Sequence, residues 1–195
     1  MKPVHFYVHG RGRGHGQRSR SIVDHLESIG YHVRIFAGKD ALEAFSDRSV
    51  ERVDSLLPNT GAGLPKLLRG RTAKACKMLR ADQASVVVSD GDLPGSLAAK
   101  LLQVPLLALG HGLIFSHTLR PRGLARLPWM REGAKAALAS LGSQRQVATS
   151  FVPLKARRPT TVVASPTLRK GLRGVQERGD HLLCYFRDPE AEALL

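Results

Sequence analysis

Glycine, arginine and histidine alternate in one short stretch near the amino terminus. Residues 10–16 read GRGRGHG, with His15 between two glycines, and Arg18 follows three positions later. A neutral imidazole can take a proton from a hydroxyl group near neutral pH, and glycines let a ligand approach the backbone closely. His15 is therefore the first candidate for a general base. A histidine with a purely structural role is the alternative.

Carboxylates that could orient such a base follow a later apolar stretch, ASVVVS at 84–89. Asp90 and Asp92 come directly after it. A carboxylate that accepts a hydrogen bond from a histidine holds the ring in place and stabilises its cationic form. We therefore expect Asp90 to partner His15. For Asp92 a second role is open, because an aspartate just before Pro94 is also well placed to cap a helix.

Two further histidines are candidates for contact with a ligand. His111 lies in a Gly-His-Gly sequence directly after the apolar stretch VPLLAL, and His117 follows six residues later. None of the eight histidines belongs to a metal-binding pattern such as H-E-x-x-H, and Cys76 and Cys184 are isolated in the sequence. We expect neither a bound metal nor a cofactor.

Apolar runs that alternate with helical periodicities predict an open, mostly parallel, doubly wound α/β sheet of the Rossmann-like type. Strands are predicted at 3–8, 31–37, 50–56, 84–89, 104–109, 147–151 and 161–164, and helices at 19–29, 40–46, 67–79, 95–102 and 131–141. In such sheets ligands bind at the carboxyl ends of the strands. His15, Asp90 and His111 are expected to meet at that edge.

The spacing of the glycines argues against two common cofactor classes. They fall at every second position, whereas a dinucleotide-binding loop needs G-x-G-x-x-G, and no acidic residue ends the second predicted strand. The sequence also lacks the G-x-x-x-x-G-K-[ST] motif of phosphate-binding loops. The stretch therefore does not indicate a nicotinamide cofactor or a nucleoside triphosphate. A helix that starts after it would still offer free N–H groups to an anion.

The net charge of the 195-residue chain is +14. A charge of this sign attracts phosphates, nucleic acids and anionic membranes, and it is equally compatible with an arginine-rich solvated surface. The sequence contains no run of about 18 apolar residues, and its amino terminus lacks the long apolar segment of a signal peptide. We expect a cytoplasmic protein.

The stretch 119–132 combines four arginines with Leu124, Leu127, Trp129 and Met130. Apolar side chains beside cations are typical of a segment that lies on an anionic membrane surface or binds a lipid-linked molecule. Ordinary core packing with exposed arginines is the alternative. The first interpretation predicts peripheral contact with the inner face of the membrane.

The end of the chain differs in character from the rest. Residues 166–180 are polar, basic and glycine-containing, which predicts a linker after an N-terminal domain of residues 1–165. The apolar run HLLCYF and the RDPEAEALL that follows it predict the first strand and helix of a second domain in 181–195. We expect the rest of that second domain to be missing from this chain.

Three segments, in this order, resemble the N-terminal domain of GT-B glycosyltransferases, most closely the glycosyltransferase 28/MurG-like and UDP-glycosyltransferase-like groups. They are VHGRGRGHGQRSRSIVDHLESIGYHVRIFAG, VVVSDGDLPGSLAAKLLQVPLLALGHGLIFSH and VVASPTLR. The first contains a GxGHxxR motif, formed here by Gly12, Gly14, His15 and Arg18. In the second, Asp90 stands at the position of the family's motif aspartate.

The resemblance implies the N-terminal half of a GT-B fold and inverting transfer of a hexosyl group from a nucleotide-diphosphate sugar to a hydroxyl acceptor, including a lipid-linked one. His15 would remove the acceptor proton with Asp90 as its partner. The residues predicted to contact substrates are Gly12, Gly14, Gly16 and Arg18 of the glycine-rich stretch, and, from their positions in the sequence, Asp92, His111 and His117. The donor-binding domain would follow Leu195 or come from a partner subunit, so we expect the chain alone to bind acceptor without turnover.

Three other functions remain open. A UDP-sugar 2-epimerase shares the architecture but calls for more carboxylates near the loop. A basic nucleic-acid-binding module is supported by charge alone, and since the sequence shows no RNP motif or zinc knuckle we expect no specific nucleic-acid partner. A non-catalytic, membrane-recruiting subunit of a two-subunit transferase is the third.

Overall fold

A computed structural model describes residues 2–56 and 63–166 of the chain. Its strands are β1 (Val4–Val8), β2 (Val33–Ala37), β3 (Val50–Arg52), β4 (Val86–Asp90), β5 (Leu106–Gly110), β6 (Arg145–Thr149) and β7 (Thr161–Ala164). They form one sheet in the order β3-β2-β1-β4-β5-β6-β7, and every neighbouring pair is parallel. The predicted Rossmann-like α/β fold is confirmed, with described strands that are parallel throughout rather than mostly so.

Most of the strands are joined through helical segments, as is usual for parallel neighbours, whereas the residues between β6 and β7 form no helix. The helices are α1 (Arg13–Ser28), α2 (Leu64–Ala81), α3 (Leu93–Leu101), α4 (Ile114–His117) and α5 (Arg126–Ala139), with 3-10 segments at Lys39–Phe45 and His111–Leu113. None of the described helices is long and apolar enough to cross a membrane.

The central strand β1 is buried along its whole length because helices cover both faces of the sheet. Successive side chains of a strand point to opposite faces. Phe6 therefore packs in the core that includes Val23 of α1, whereas Tyr7 packs in a second core with Ala75 and Leu79 of α2. The strand order reverses direction between β1 and β4, and such switch points are where open α/β sheets bind ligands.

The start of α1 differs from the prediction. The sequence predicts a loop up to Arg18 and a helix from Ser19, and this is wrong, since the helix begins at Arg13. Gly12, at a φ of +82°, turns the chain directly into the helix. Gly16 is buried in α1, where an added Cβ would come 2.9 Å from the Cβ of Ala44. Glycine has no side chain, so the first turn of α1 lacks the regular spacing of apolar residues from which a helix is predicted.

Other boundaries also differ from the predicted ones. Helix α5 begins at Arg126 instead of residue 131, because Pro128 lies in its first turn, where a missing N–H costs no helical hydrogen bond. Helix α2 begins at Leu64 instead of residue 67, again with a proline in its first turn. The ends of β3 and β6 are two to four residues earlier than predicted.

The predicted domain division falls partly on residues that the structure does not describe. Most of the predicted linker at 166–180 and all of the predicted second-domain start at 181–195 lie outside the described residues. The proline, asparagine and glycines of LPNTGAGLP predict a loop at 57–65, and positions 57–62 of it lie outside the described residues too. The division into two domains therefore stays a prediction.

Candidate active site

The ends of β1 and β4 lie side by side at the switch point of the sheet. Val8 is in register with Asp90, and the N–H of His9 donates a hydrogen bond of 3.0 Å to the carbonyl of Asp90. Helix α1 starts above these two strand ends. Because residues three and four positions apart share one face of a helix, His15, Arg18 and Ser19 all reach the side chain of Asp90.

Asp90 is the centre of this arrangement, and its side chain is fully buried. Its Oδ1 accepts a hydrogen bond from Nδ1 of His15 at 2.9 Å and another from Nη2 of Arg18. Its Oδ2 accepts from Oγ of Ser19 at 2.8 Å and from Nε of Arg18 at 3.2 Å. We call these four residues, His15, Arg18, Ser19 and Asp90, the His15 cluster. Its buried carboxylate has hydrogen bonds on both oxygens.

The hydrogen bonds of Asp90 also affect the ionisation of its carboxyl group. Burial alone would raise the pKa of the Asp90 carboxyl, but the hydrogen bond and charge of His15, together with those of Arg18, outweigh it and hold that pKa below its ordinary value. An ionised carboxylate can only accept a hydrogen bond, so Nδ1 of His15 is the donor to Asp90, and Nε2 is the ring nitrogen that makes no bond to Asp90. About a third of the His15 side chain, 32%, is exposed. The cluster can therefore work as a base with its orienting carboxylate.

His9 is a second imidazole at this corner that the sequence reasoning missed. Its ring meets that of His15 edge to face, with centroids 5.4 Å apart. Burial and then the neighbouring His15 lower the pKa of His9, against the opposing effect of Asp92 and Asp90. A neutral His9 adds no positive charge beside His15. Its position directly after β1, at the ligand-binding edge, was the signal that could have revealed it.

Two glycines at the strand ends make room for the cluster, and the sequence reasoning did not single them out. Gly91, after β4, has a φ of +74°, and a Cβ there would lie 3.4 Å from Cε1 of His15. Gly110, at the end of β5, has a φ of +146°, and a Cβ there would lie 3.3 Å from Oδ1 of Asp90. Both positions combine a positive φ with close approach, so a larger residue would disturb the pair.

The three glycines predicted to contact substrates have different surroundings. The N–H of Gly12 donates to Oδ2 of Asp40 at 2.8 Å. Gly14 lies in the first turn of α1, exposed, with open space where a Cβ would be. Gly16 is buried against the 3-10 segment that follows β2. Of the three, Gly14 leaves the most space for a ligand above the helix.

Asp92 is directed away from His15. Its Oδ1 accepts a hydrogen bond of 2.8 Å from the N–H of Gly95 and so caps α3, while its Oδ2 lies 3.0 Å from Nη1 of Arg71. Both side chains of this ion pair are buried. The geometry is that of the helix-cap alternative, and the structure does not bring Asp92 into the His15 cluster.

The remaining predicted histidines do not bond to the cluster either. His111 follows β5 at the same edge of the sheet and is exposed, with Nδ1 3.0 Å from the carbonyl of Thr149. His117 is bonded through Nε2 to Oγ of Ser140 at 2.9 Å. Burial lowers the pKa of His117, and the charges of two nearby arginines, Arg158 and Arg157, act in the same direction.

The basic stretch 119–132 divides into a buried and an exposed part. Trp129 is buried, and its ring packs edge to face on Phe115 with centroids 4.8 Å apart. Leu127 and Met130, in contrast, are 78% and 55% exposed. Leu124 and all four arginines of the stretch are exposed too. Core packing therefore explains the tryptophan and leaves the other apolar side chains unexplained.

Within the two described segments, no group of three or more His, Cys, Asp or Glu side chains is arranged to hold a metal ion. The His15 cluster itself, with a part-exposed imidazole on a buried carboxylate, is suited to acid–base chemistry.

Comparisons with known proteins find likeness in structure alone. No protein-family model matches the sequence, and no curated protein matches it either. Among solved structures, MurG of Acinetobacter baumannii aligns with a TM-score of 0.61 and 18% identity over 87% of this chain and 47% of MurG. The UDP-GlcNAc 2-epimerase of Neisseria meningitidis bound to UDP-GlcNAc aligns with a TM-score of 0.52 and 16% identity over 76% of this chain and 40% of its own.

A third neighbour is SsfS6, a glycosyltransferase of Streptomyces sp. SF2575. It aligns with a TM-score of 0.51 and 12% identity over 88% of this chain and 56% of its own. The chain spans about half the length of the solved proteins it matches. At these identities the likeness concerns the fold, and the chain therefore has the Rossmann-like α/β fold that MurG, GT-B glycosyltransferases and UDP-GlcNAc 2-epimerases share.

Proposed function

We propose that this chain is the acceptor-binding half of an inverting GT-B glycosyltransferase that transfers a hexosyl group from a nucleotide-diphosphate sugar to a hydroxyl acceptor. The observation that carries the proposal is the 2.9 Å hydrogen bond between His15 and the buried Asp90 at the switch point of the sheet. The shared fold with MurG and SsfS6 supports it.

In the proposed reaction, Nε2 of His15 accepts the proton of the acceptor hydroxyl while the hydroxyl oxygen attacks the anomeric carbon of the donor. The bond between that carbon and the diphosphate oxygen breaks, and the diphosphate leaves with the electron pair. Attack from the face opposite the leaving group inverts the anomeric centre. Asp90 stabilises the imidazolium that forms. General base catalysis of this kind contributes about 10²–10⁴-fold in rate.

The other residues of the corner support this step. Arg18 holds the carboxylate of Asp90 on both oxygens and keeps it ionised, which makes it a positioning residue. Helix α1 has no side-chain cap at its start. Its first-turn N–H groups and the positive end of its dipole can therefore stabilise the charge of the departing diphosphate.

The donor half is proposed to lie beyond the described fold, in a following domain or a partner subunit. This agrees with the coverage of the solved neighbours, since the chain spans 47% of MurG and 56% of SsfS6. The chain alone should then bind acceptor and not turn over.

The test is the stereochemistry and donor dependence of transfer by the chain joined to its donor domain. UDP-GlcNAc is the first donor to use, and the anomeric configuration of the product is read from proton NMR couplings. We expect an inverted product that forms only when an acceptor is present. Retention of configuration would contradict the mechanism. Conversion of UDP-GlcNAc into its 2-epimer without acceptor would assign the chain to the epimerases instead.

The acceptor is proposed to be lipid-linked and presented at an anionic membrane surface. The supporting observation is the exposure of Leu124, Leu127 and Met130 among the four exposed arginines of 119–132. Apolar insertion beside cations is the arrangement that binds such surfaces.

Co-sedimentation with vesicles tests this contact. Phosphatidylglycerol vesicles should bind the chain, and phosphatidylcholine vesicles should bind it weakly. Leu127→Glu should abolish binding, whereas Leu101→Glu, at a leucine on α3 that is also well exposed (68%), should leave it intact. Equal loss in both variants, or no binding to anionic vesicles, would contradict the membrane contact.

A further inference from the structure

An apolar groove runs between helices α2 and α3, which pack on the face of the sheet opposite to α1. Its volume is about 410 Å³. The groove lies apart from the His15 cluster and from the exposed residues of 119–132, so the proposed reaction does not account for it. Its apolar lining consists of Pro65, Leu68, Ala73 and Cys76 on α2 and Leu97 and Leu101 on α3.

The apolar residues of the groove are open to water. Leu101 is 68% exposed, and Pro65 and Ala73 are exposed as well. On the other side of α2, Ala75 and Leu79 are buried in the core beneath the helix. Helix α2 therefore has two apolar sides, one that packs on the sheet and one that no described element covers. An exposed apolar patch of this kind is typical of an interaction surface.

The charge of the groove is positive. All charged residues of α2 and α3 are lysines and arginines. Arg69 lines the groove and is exposed. Arg71 and Lys74 face a separate cavity on the β3 side of α2, and Asp54 lies there with them. No acidic side chain lines the groove itself, so a partner with carboxylates would complement it.

The lining also decides which kind of backbone can lie in the groove. Arg69 and Thr72 supply its polar side chains, and the backbone groups along the middle of both helices are already bonded within them. An extended peptide would leave N–H and C=O groups without partners on the groove side, which costs free energy, whereas a helix bonds its own. From Pro65 to Cys76 the groove extends about 16 Å along α2, which is the length of three helical turns.

We infer that the groove between α2 and α3 is a docking site for an amphipathic helix of a partner protein, in which carboxylates flank the apolar stripe. The stripe covers Leu68, Leu97 and Leu101, and the carboxylates lie beside Arg69. A second copy of this chain does not fit, because a two-fold contact would place the cations of one α2 against those of the other. The inference is independent of the proposed reaction.

A labelled synthetic peptide tests the site in the intact chain. The peptide has about 15 residues, enough to form a helix, with leucines at i, i+4 and i+7 and glutamates beside them. Its fluorescence anisotropy should show saturable binding. The same residues in shuffled order, which form no stripe, should not bind, and lysines in place of the glutamates should weaken binding. Bound peptide should also protect Cys76, a partly exposed free thiol, from alkylation.

Matched variants decide between a built groove and general attraction to a basic surface. Leu101→Glu should weaken binding about tenfold or more, whereas Leu127→Glu, on α5, should not. Arg69→Glu should weaken binding of the glutamate peptide and strengthen that of the lysine peptide, and Arg145→Glu, at an exposed arginine of β6, should do neither. All four side chains are exposed, so unfolding midpoints should stay close to wild type.

Four results would overturn the proposal. They are no saturable binding of the glutamate peptide, equal binding of the shuffled peptide, equal losses in Leu101→Glu and Leu127→Glu, and loss of phosphatidylglycerol-vesicle binding in Leu101→Glu. The last of these would assign the groove to a membrane surface instead of a protein partner.

Discussion

Two sets of one histidine, one aspartate and one arginine lie at opposite ends of the sheet. In each, an imidazole is bonded to a carboxylate, at 2.9 Å and 2.8 Å, and a guanidinium bonds to the same carboxylate. The set at the carboxyl edge is His15, Asp90 and Arg18, and the set at the amino edge is His5, Asp82 and Arg34. Residue types alone do not distinguish the two.

What differs is which partner is buried. At the carboxyl edge the side chain of Asp90 is 0% exposed and that of His15 is 32% exposed. At the amino edge the side chain of His5 is 0% exposed and that of Asp82 is 18% exposed. A substrate can reach the imidazole in the first set, whereas in the second it can reach the carboxylate and Arg34 but not the imidazole. The comparison indicates that a base and its orienter are recognised by the exposure of the base, not by the hydrogen bond itself.

Burial and the neighbouring charges together decide the charge of the inward-facing member. Burial lowers the pKa of His5, and although Asp82 opposes this effect, the result is an imidazole that stays neutral. In the His15 cluster it is the carboxylate that is enclosed, and its neighbours keep it ionised. The amino-edge set therefore serves as a contact between β1 and the segment after α2. The carboxyl-edge set, with its partly exposed imidazole, can exchange a proton with a ligand.

Replacing each aspartate should give the largest difference in stability between the two sets. Asp90→Asn should lower the free energy of unfolding by about 3–5 kcal/mol, because it removes the counter-charge of the largely buried Arg18. Asp82→Asn, at a carboxylate that water reaches, should cost about 1 kcal/mol. Urea denaturation of the two variants measures the difference. Equal losses would mean that burial of the carboxylate does not distinguish the sets.

The pH dependence of stability should report the amino-edge set. The pKa of His5 is lowered from 6.5 in the folded chain, so below about pH 6.5 the unfolded chain binds more protons than the folded chain. The free energy of unfolding therefore decreases as the pH is lowered. His9 and His117 act in the same direction. His5→Gln should flatten this decline between pH 7 and 5 in thermal unfolding curves. An unchanged slope would show that His5 takes up its proton as easily folded as unfolded.

A pair of glycine substitutions gives the smallest expected effect. Gly91 and Gly30 both have positive φ, +74° and +92°, so alanine at either should cost about 1 kcal/mol of stability. Only the Cβ at Gly91 would touch His15, at 3.4 Å, whereas the one at Gly30 meets nothing within 4 Å. The imidazole NMR signals of His15 should therefore shift in Gly91→Ala and not in Gly30→Ala. Equal shifts in the two variants would contradict the inference that Gly91 allows the close approach of His15.

Much of this arrangement could be predicted from the sequence. Buried parallel strands are continuous apolar runs, so YHVRIFA and ASVVVS revealed their strands, and the rule that ligands bind at carboxyl ends brought His15 and Asp90 to one edge. The two side chains do lie within hydrogen-bond distance. Their roles in catalysis stay a prediction.

The rest depended on information that local patterns do not contain. The first turn of α1 has glycines where apolar residues would mark a helix, so its start was predicted six residues late. The ion pair of Asp92 depends on Arg71, which is distant in sequence and comes close only when α2 packs. The stacking of the Tyr7 ring on Phe36, with centroids 4.4 Å apart, likewise forms only when β1 and β2 pair.

The most direct test of the central claim compares the two histidines in one assay. In the chain joined to its donor domain, kcat/KM for sugar transfer is measured for His15→Gln and His5→Gln, with unfolding midpoints as the control for folding. His15→Gln should lower kcat/KM by about 10²–10⁴-fold with its fold intact, and His5→Gln should leave it close to wild type. Near-wild-type transfer by His15→Gln, or equal losses in both variants, would contradict the assignment of His15 as the base.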